Sequence, residues 1–409
     1  MYKRIIPVMM LMFVNTLGFT LLLPVLPFII RDYGQSDAVY GLLLSLYAAF
    51  VFVGSPILGN LSDKYGRKPI LIISQAGTLL SWVIFGLAWF MDGSTWPILI
   101  IALSRVTDGI TGGNVSVANA YLSDITTPEE RTQAFTYLVV ASGTALLIGP
   151  SIGGFSNATS IDYLGTAIVA VLISTVTLLS IIFQLKESLP PEERTTEINI
   201  NPLYQLNMLA KIRNLGNSRP IQRMFVLRMF FSFGLQAYVS IIVLYVIDLF
   251  QFNEQQLGFF LLFIGSFLIF NQLVAFPFFA KRFDDLTILI IGFILMSIGL
   301  FLLPIFESML LYLLCYYVLN LGLSLGFPTL KSLLSKLSDR KQQGVVMGID
   351  EALIALMGAI APAIAGALYA EIRWITFLLI GAFLLIGLTL SLSSRDMINQ
   401  NLQPVPPPT

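Results

Sequence analysis

Long apolar runs separated by short polar stretches dominate this chain of 409 residues. Each run has about the 20 residues that a helix needs to cross a bilayer, and an open sheet would leave backbone groups unpaired in lipid. The sequence is 56% hydrophobic and 11% charged, and a soluble protein of this length could not bury that much apolar surface. We therefore predict an all-α integral membrane protein with twelve spans, at 5–30, 38–61, 69–91, 97–122, 133–156, 164–185, 220–248, 255–280, 287–305, 309–331, 343–370 and 373–394.

The distribution of lysine and arginine predicts the orientation, because cytoplasmic loops carry an excess of these residues. With both termini in the cytoplasm, the inner face receives 19 of the 23 basic residues. The outer face then receives Arg31 and Arg373, while Arg105 and Arg228 fall within spans. The sequence thus predicts a multi-pass protein with both termini cytoplasmic.

The polar stretch 186–219 lies between spans six and seven and predicts a cytoplasmic linker. It divides the chain into two six-helix halves, 1–185 and 220–394, and we expect a short surface helix around 202–213. The last residues, 395–409, end in a proline-rich sequence. Such a sequence favours extended polyproline-like chain, so we predict a disordered cytoplasmic tail.

The composition also limits the chemistry. The chain has no histidine and a single cysteine, Cys315, so an intramolecular disulfide or a zinc cluster is excluded. No cluster of nucleophiles or metal ligands is present in the sequence, and we expect no cofactor, no metal and no enzymatic activity. Because histidine is the usual group that titrates near neutral pH, any proton handling must fall to carboxylates.

A charged loop between spans two and three carries the most specific pattern. Two glycines, one acid and three bases fit into ten residues, and the glycines allow a tight turn. An ordinary positive-inside loop explains the bases but not the spacing G-x-x-x-D-K-x-G-R-K. That spacing resembles the loop 2–3 signature of the major facilitator superfamily. The resemblance implies the major facilitator fold and a gating motif made of Gly59, Asp63, Lys64, Gly66, Arg67, Lys68, Asp124 and Arg131.

Arg105 and Asp108 lie three residues apart in span four and share a helix face. Charges at this depth are costly and usually face a partner or a wet cavity. Two interpretations stay open: a self-neutralising pair that holds helices together, or a proton or substrate site. The element Arg105–Gly109 also resembles the R-x-x-x-G element of drug/proton antiporters, which implies a role for the arginine in proton transfer.

Span five contains a glycine-spaced run with a proline, and a related sequence recurs 212 residues later in span eleven, as expected for pseudo-symmetric halves. Small residues allow close helix packing, which is one explanation. The pattern also resembles the span-five motif of proton antiporters, which implies efflux. The residues of this motif are Gly143, Gly149, Pro150, Gly153 and Gly154.

Span one from Asn15 to Pro27, and the stretch from Tyr121 to Arg131, resemble the tetracycline-efflux branch of these antiporters. Asn15 and Ser81 stand where tetracycline exporters carry acids. A cationic, metal-chelated substrate would need those acids, so we expect the cargo to be something other than tetracycline.

Asp350 and Glu351 lie about two turns inside span eleven, and Arg228 reaches a similar depth from the same side. We expect Arg228 to pair with one of the two acids and to leave the other without a cation. The sequence then predicts these acids as the main proton site, with Arg105 and Asp108 as a second site. The alternative is that all three residues only line a wet inner vestibule.

Other polar and aromatic residues in the spans are candidate substrate contacts, although any one of them is more often an interhelical contact. As a set they suit a large amphipathic compound better than a sugar. They are Asn15, Phe19, Asn114, Asn119, Gln236, Tyr238, Asn271, Gln272, Tyr316, Tyr317 and Asn320.

These resemblances imply a proton-coupled antiporter that exports drug-like amphipathic molecules from a bacterial inner membrane as a monomer. Its partners would be the small-molecule substrate, protons and the lipid bilayer, with no nucleic acid. One alternative keeps the fold and changes the cargo to a sugar, a metabolite or a lipid. A more remote alternative is a membrane receptor that does not transport.

Overall fold

A computed structural model describes residues 2–195, 219–338 and 343–402, and its regular secondary structure in those ranges is helical. Before the linker there are eight α-helices: α1 (Tyr2–Leu22), α2 (Leu26–Asp32), α3 (Asp37–Tyr65), α4 (Arg67–Leu87), α5 (Trp96–Gly112), α6 (Val115–Ile125), α7 (Pro128–Asn157) and α8 (Asp162–Gln184).

The second series begins after the linker and contains a π-helical turn, Asn271–Ala275, between α10 and α11. Its helices are α9 (Arg219–Phe250), α10 (Glu254–Phe270), α11 (Phe276–Ala280), α12 (Asp285–Leu302), α13 (Met309–Leu337), α14 (Gln343–Ile372), α15 (Ile375–Ser393) and α16 (Arg395–Leu402).

Eleven segments of the described chain are long and apolar enough to cross a membrane, which confirms a multi-pass, all-helical membrane protein. The predicted span 97–122 is not among the eleven. It is divided at Gly113 and Asn114 into α5 and α6, and α6 has only 11 residues. The glycine pair 112–113 explains the break, because glycine weakens a helix interior by about 1 kcal/mol relative to alanine.

By internal contacts the chain forms two compact units, Met1–Leu206 with Val246–Leu262, and Asn207–Tyr245 with Phe263–Thr409. The segment Val246–Leu262 belongs to the first unit because it packs on α7. The Ser151 hydroxyl donates a hydrogen bond of 3.1 Å to the Gly258 carbonyl. Any side chain at Gly154 would collide with the Glu254 carbonyl, so glycine permits this approach.

A buried apolar cluster joins α1, α3, α4, α6, α7 and α8 in the first unit, and Leu11, Leu71, Leu122 and Ala134 are among its fully buried members. Close packing of such side chains fixes helix positions, because interiors have few voids. Gly66 has a φ of 100° and separates α3 from α4, and the cluster members Leu58 and Ile70 lie on either side of it in the chain. The cluster therefore fixes the two helices that flank the loop signature.

The predicted disordered tail is wrong for its first part. Residues Arg395–Leu402 form helix α16, and Ile398 is completely buried. Its amide donates to the Ser394 carbonyl at 3.0 Å, so the chain resumes a helical form directly after the end of α15. Burial of one apolar side chain stabilises this short helix against its surroundings. Residues 403–409 and the expected linker helix at 202–213 lie outside the described residues.

Candidate gating and proton-coupling sites

Arg67 is the centre of the loop signature. It is the first residue of α4, and its guanidinium contacts acids on two other helices. Nη1 lies 2.5 Å from Asp63 Oδ1 and 2.7 Å from Ser62 Oγ, and Nε lies 3.2 Å from Asp124 Oδ2. Charge-assisted bonds of this kind are about twice as strong as neutral ones. The cluster thus ties α3, α4 and α6 together at one end.

The start of the linker completes this cluster, which the sequence did not predict. Glu187 Oε1 accepts hydrogen bonds from the amides of Arg67, Ser188 and Leu189 at 2.8–3.0 Å, and Oε2 accepts one from Lys68 at 3.2 Å. A carboxylate at a helix N-terminus is favoured by the helix dipole. The Ser188 hydroxyl also donates to Asp124 at 2.9 Å. Glu187 therefore caps α4 directly behind Arg67.

The remaining members of the gating motif have more varied positions. The Lys68 ammonium donates to the Ile182 carbonyl at 2.9 Å, and the Lys64 ammonium lies 5.7 Å from the Tyr65 ring centre. A Cβ at Gly59 would lie 3.6 Å from Ser116 Oγ, an ordinary contact. The side chain of Arg131 lies outside the described residues.

Arg105 and Asp108 on α5 are both buried, with Nη1 3.5 Å from Asp108 Oδ2. The guanidinium carbon lies 5.2 Å from the Trp82 ring centre and 5.7 Å from that of Phe85, within cation–π range. Arg105 Nη2 has no hydrogen-bond partner among the residues that the structure describes. Aromatic rings and one loose ion pair therefore hold the arginine, and one of its nitrogens is buried without a hydrogen bond to the described residues.

Gly109 explains how this pair fits between helices. A Cβ at this position would lie 2.6 Å from the Tyr47 carbonyl oxygen, which is too close for any side chain. The glycine of the R-x-x-x-G element thus allows α5 to approach α3 closely. Ser104 Oγ lies 3.3 Å from Arg105 Nε and helps to fix the guanidinium.

Arg228 on α9 and Asp350 on α14 form a tighter pair in the second unit. The contact is bidentate, with Nε 2.5 Å from Oδ1 and Nη2 3.0 Å from Oδ2, and neither side chain is exposed. The Phe327 ring centre lies 5.1 Å from the guanidinium carbon. A buried bidentate pair costs much desolvation, and loss of either charge leaves the other uncompensated. The pair can therefore respond strongly to protonation of its acid.

Glu351 differs from the sequence-based expectation, which left one acid of this pair without a cation. Its carboxylate lies 2.5 Å from the Lys331 ammonium, and both side chains are at least half exposed. Neighbouring residues on a helix project about 100° apart, so Asp350 points inward while Glu351 points outward. The expectation that one of the two acids lacks a cation is wrong, and Lys331 was the residue missed.

The glycine motif of span five presents two faces of α7. A side chain at Gly149 or Gly153 would collide with Thr20 or with the Leu21 carbonyl on α1, whereas Gly154 faces Glu254. Pro150 lies between these faces, and Gly258 closely approaches its carbonyl. A Cβ at Gly143 would meet nothing within 4 Å. Four of the five motif residues thus serve close backbone packing.

Candidate substrate contacts in the first unit form a chain of hydrogen bonds. Asn15 Nδ2 donates to Asn114 Oδ1, and Asn114 Nδ2 donates to Ser74 Oγ. The Phe19 ring stacks on Tyr47 with centroids 6.1 Å apart. Asn119 on α6 is only partly buried, and no side-chain bond to the other amides is described for it. Asn15 and Asn114 thus meet, and Asn119 does not join them.

A second group gathers around the π-helical turn. Asn271 Nδ2 donates to Asn320 Oδ1 at 3.0 Å, and Asn320 Nδ2 lies 3.4 Å from the Tyr316 hydroxyl. The rings of Tyr238 and Tyr316 have centroids 6.3 Å apart. Single π-helical turns often occur at functional sites. The structure thus brings four of the predicted candidates into one buried network.

The last three candidates lie beside that network. Gln272 Nε2 donates to the Ser324 carbonyl at 3.3 Å, and Tyr317 packs edge-on against Phe267 with centroids 5.4 Å apart. Gln236 on α9 is partly buried. These contacts are what interhelical packing would give, and they do not by themselves indicate a ligand.

Comparison with known proteins supports the resemblance to the major facilitator superfamily. A sequence profile described as Major Facilitator Superfamily matches residues 8–362 and 272–405. The class D tetracycline resistance protein of Salmonella ordonez is 30% identical over 369 residues, with 88% of each chain covered. Multidrug resistance protein 2 of Bacillus subtilis (strain 168) is 28% identical over 397 residues, with 95% of this chain and 94% of the relative covered.

A solved structure gives the same fold. The crystal structure of a bacterial homologue of the human lysosomal transporter Spinster, in an inward-facing and unoccupied conformation, matches with a TM-score of 0.79. The match covers 98% of both chains at 12% sequence identity. At that identity the likeness shows the fold alone.

Proposed function

The chain belongs to the major facilitator superfamily, and from this premise we propose a proton-coupled antiporter that exports drug-like amphipathic molecules. Membership of this superfamily of transporters confirms the prediction of a transport protein rather than an enzyme. The observation that carries the finer proposal is a buried Arg–Asp pair in each unit. The tetracycline and multidrug resistance proteins among its relatives support a drug as cargo.

The topology that goes with this function has twelve spans in two halves. In it, α5 and α6 together form span four, and the break at Gly113 and Asn114 lies inside the membrane. Their combined length of about 45 Å is enough to cross a bilayer. An even number of spans puts both termini on one side, and the basic loops place that side in the cytoplasm of a bacterial cell.

Coupling rests on the acids of the buried pairs. Protonation of Asp350 removes the charge that holds Arg228, so the pair opens only in the protonated state. With no histidine in the chain, carboxylates are the groups available for this step. One nitrogen of Arg105 has no partner within residues 2–195, 219–338 and 343–402, so a substrate that engages it competes with Asp108. Proton release and substrate binding are linked if the proton and the substrate compete for the same Arg–Asp pair.

The substrate class follows from the charges. Asp108, Asp350 and Glu351 each have a cation of their own, and Asn15 is neutral. A neutral amphipathic molecule therefore suits these sites better than a metal-chelated cation. We accordingly expect no rise in tetracycline tolerance when the chain is expressed in an efflux-deficient host. A robust rise, at an expression level matched to an Asp350→Asn control, would show that other groups bind the chelate.

The proposal is tested by reconstitution. Proteoliposomes that contain a trapped pH-sensitive dye receive an imposed pH gradient and then members of a panel of neutral and cationic drugs. A transported drug should release protons in exchange and dissipate the gradient faster than in empty liposomes. If no compound moves protons while a sugar or lipid crosses without a gradient, the chain is a facilitator with the same fold.

A further inference from the structure

The break between α5 and α6 separates two of the contacts described above. Before the break, α5 carries the buried pair of Arg105 and Asp108. After it, α6 carries Asp124, which binds Arg67 of the loop signature. Asp124 lies ten residues after Asn114 in the break, or about 15 Å along the helix. A tilt of about 10° at the break therefore moves Asp124 by roughly 2.5 Å, enough to break its contact with Arg67.

The side chain of Asn114 bridges this break to two neighbouring helices. It is completely buried, its Oδ1 accepts from Asn15 Nδ2 on α1, and its Nδ2 donates to Ser74 Oγ on α4. The Ser74 hydroxyl in turn donates to the Thr111 carbonyl at 2.6 Å. Carbonyls in the last turn of a helix lack partners within it, and Thr111 is in the last turn of α5. Ser74 therefore supplies a bond that the broken helix lacks, and Asn114 holds Ser74 in place.

Helix α3 contacts the break through glycine. A side chain at Gly113 would collide with the Ser55 backbone, and one at Gly54 would collide with the Ile110 carbonyl oxygen. Just after the break, the Ser116 hydroxyl donates to the Ser55 carbonyl at 3.2 Å. Small residues let helix backbones approach closely. Since neither glycine has a side chain to withdraw from a pocket, the two form a fulcrum on which α6 can tilt against α3.

The bridge through Asn114 is not fully paired. Asn15 Oδ1 is buried and has no hydrogen-bond partner among the described residues. A fully paired buried network makes a structure rigid, whereas an open acceptor lets a network exchange partners. Three residues further along α1, a Cβ at Gly18 would lie 3.9 Å from Asp108 Oδ2. A change at the buried pair can thus reach the bridge through α1 as well as through α5.

We propose that Asn114 is a positioning residue at a hinge, and that this hinge links the buried pair of α5 to the gate contact between Arg67 and Asp124. With the bridge intact, α6 keeps the angle at which Asp124 meets Arg67. When the bridge opens, α6 tilts against α3 and this contact breaks. The part that the hinge plays in transport rests on the proposed function, whereas the tilt itself does not.

Distances between pairs of spin labels test the tilt directly, in a chain whose single cysteine is removed by Cys315→Ser. Labels at Tyr65→Cys on α3 and Ser123→Cys on α6 report the distance after the break. Labels at Leu42→Cys on α3 and Leu99→Cys on α5 report the distance before it. Both pairs share α3, so only a change in the angle between α5 and α6 alters one distance without the other.

Two variants open the bridge from different sides. Ser74→Ala removes the hydroxyl that caps α5, and Asn114→Leu keeps the size of the side chain but removes both of its bonds. Without any drug, each variant should shift the distance after the break by roughly 2.5 Å. The distance before the break should stay as in wild type. The maximal rate of drug exchange should fall in the same variants, because α6 no longer keeps the angle that closes the gate contact.

The matched control is Ser174→Ala, which removes an equally buried serine hydroxyl on α8 that has no partner in the described part of the chain. It should leave both distances as in wild type. Melting temperatures identify a misfolded Asn114→Leu variant, in which case Ser74→Ala decides. Equal shifts of both distances would make α5 and α6 one rigid rod and overturn the proposal. So would distances that neither variant changes.

The two proposals fail separately in this design. A shift in the bridge variants without drug-driven proton release by wild type would leave the hinge and remove the export function. Drug-driven proton release by wild type, with no shift in either variant, would leave the function and remove the hinge.

Discussion

The two compact units of the chain contain the same kind of ion pair with the charges exchanged. In the first, Arg67 is the first residue of α4 and binds Asp124, the last residue but one of α6. In the second, Asp285 is the first residue of α12 and binds Lys336, the last residue but one of α13, at 2.8 Å. The fold thus places an ion pair at corresponding helix ends, but it does not determine which helix carries the acid and which carries the base.

The exchange of charge changes the energetics, because helix N-termini favour anions and C-termini favour cations. Asp285 and Lys336 both have the favoured sign. Arg67 and Asp124 both have the disfavoured sign and need further acids nearby. Those acids are Asp63, which binds the guanidinium, and Glu187, which caps α4.

This difference indicates different roles for the two ion pairs. The Asp285–Lys336 pair is supported by both helix dipoles and serves as a static link. The Arg67–Asp124 pair opposes both dipoles and is stable only while its neighbours are in place. We therefore expect the first unit to hold the part that opens and closes during transport, in agreement with the gating role implied by the loop signature.

The two buried Arg–Asp pairs also differ in strength. Arg228 and Asp350 share two hydrogen bonds and have no exposure. Arg105 and Asp108 share a single contact of 3.5 Å, and one guanidinium nitrogen has no partner in the part of the chain that the structure describes. The following variants test these contrasts.

Asp350→Asn should give the largest effect, a loss of about 3–5 kcal/mol in the free energy of unfolding, because it leaves Arg228 buried and uncompensated. Asp108→Asn should cost less, since Arg105 keeps its contacts with Trp82 and Phe85. Unfolding of the purified variants in detergent measures both values. Equal losses, or a larger loss for Asp108→Asn, would remove the distinction between a tight and a loose pair.

Arg67→Ala should reduce transport about tenfold or more, because it removes charge-assisted bonds that are each worth about 1.5–3 kcal/mol before solvent screening. Asp285→Ala is the matched variant in the second unit. It should lower the melting temperature slightly and leave the transport rate within about twofold. If Asp285→Ala impairs transport as strongly as Arg67→Ala, the two ion pairs have the same role.

Glu187→Ala should cost about 0.5–2 kcal/mol, the usual range for loss of an N-terminal cap, and should also slow transport. Glu193→Ala is the control, because Glu193 lies in the same stretch in a single helical turn and caps no long helix. The slowing should be smaller than that of Arg67→Ala. A loss of stability without any change in transport would make Glu187 a structural cap only.

Asp284→Ala should cost about 1 kcal/mol at neutral pH, because Asp284 caps α12. Partial burial opposes ionisation, but the bonds from the Thr287 hydroxyl and amide outweigh it and lower the pKa of the Asp284 carboxyl. The cap therefore stabilises above the unfolded pKa of about 3.9 and is lost as pH falls through the lower folded pKa. The difference between wild type and Asp284→Ala should fade below about pH 4. A difference independent of pH would exclude the charge as its cause.

The family and the helices could be predicted from the sequence, since apolar runs and the loop spacing are local signals. The pairing of Arg228 with one acid of span eleven also followed, from repeat logic. Glu187 and Lys331 could not be found in that way. Glu187 acts through a contact between segments 120 residues apart, and Lys331 acts through a contact between two successive helices that only their packing brings together. The division between α5 and α6 was missed because Asn114 and its glycines fall inside an otherwise apolar run.

Proton release in reconstituted vesicles tests the central claim most directly, with Asp350→Asn compared with Glu351→Gln. The drug is the one that gives wild type the fastest gradient-driven exchange, and counterflow of the same drug shows that each variant still binds and moves it. The account predicts that Asp350→Asn retains counterflow but releases no protons, while Glu351→Gln releases protons like wild type. Wild-type proton release from Asp350→Asn would contradict it and would move the coupling site to Asp108.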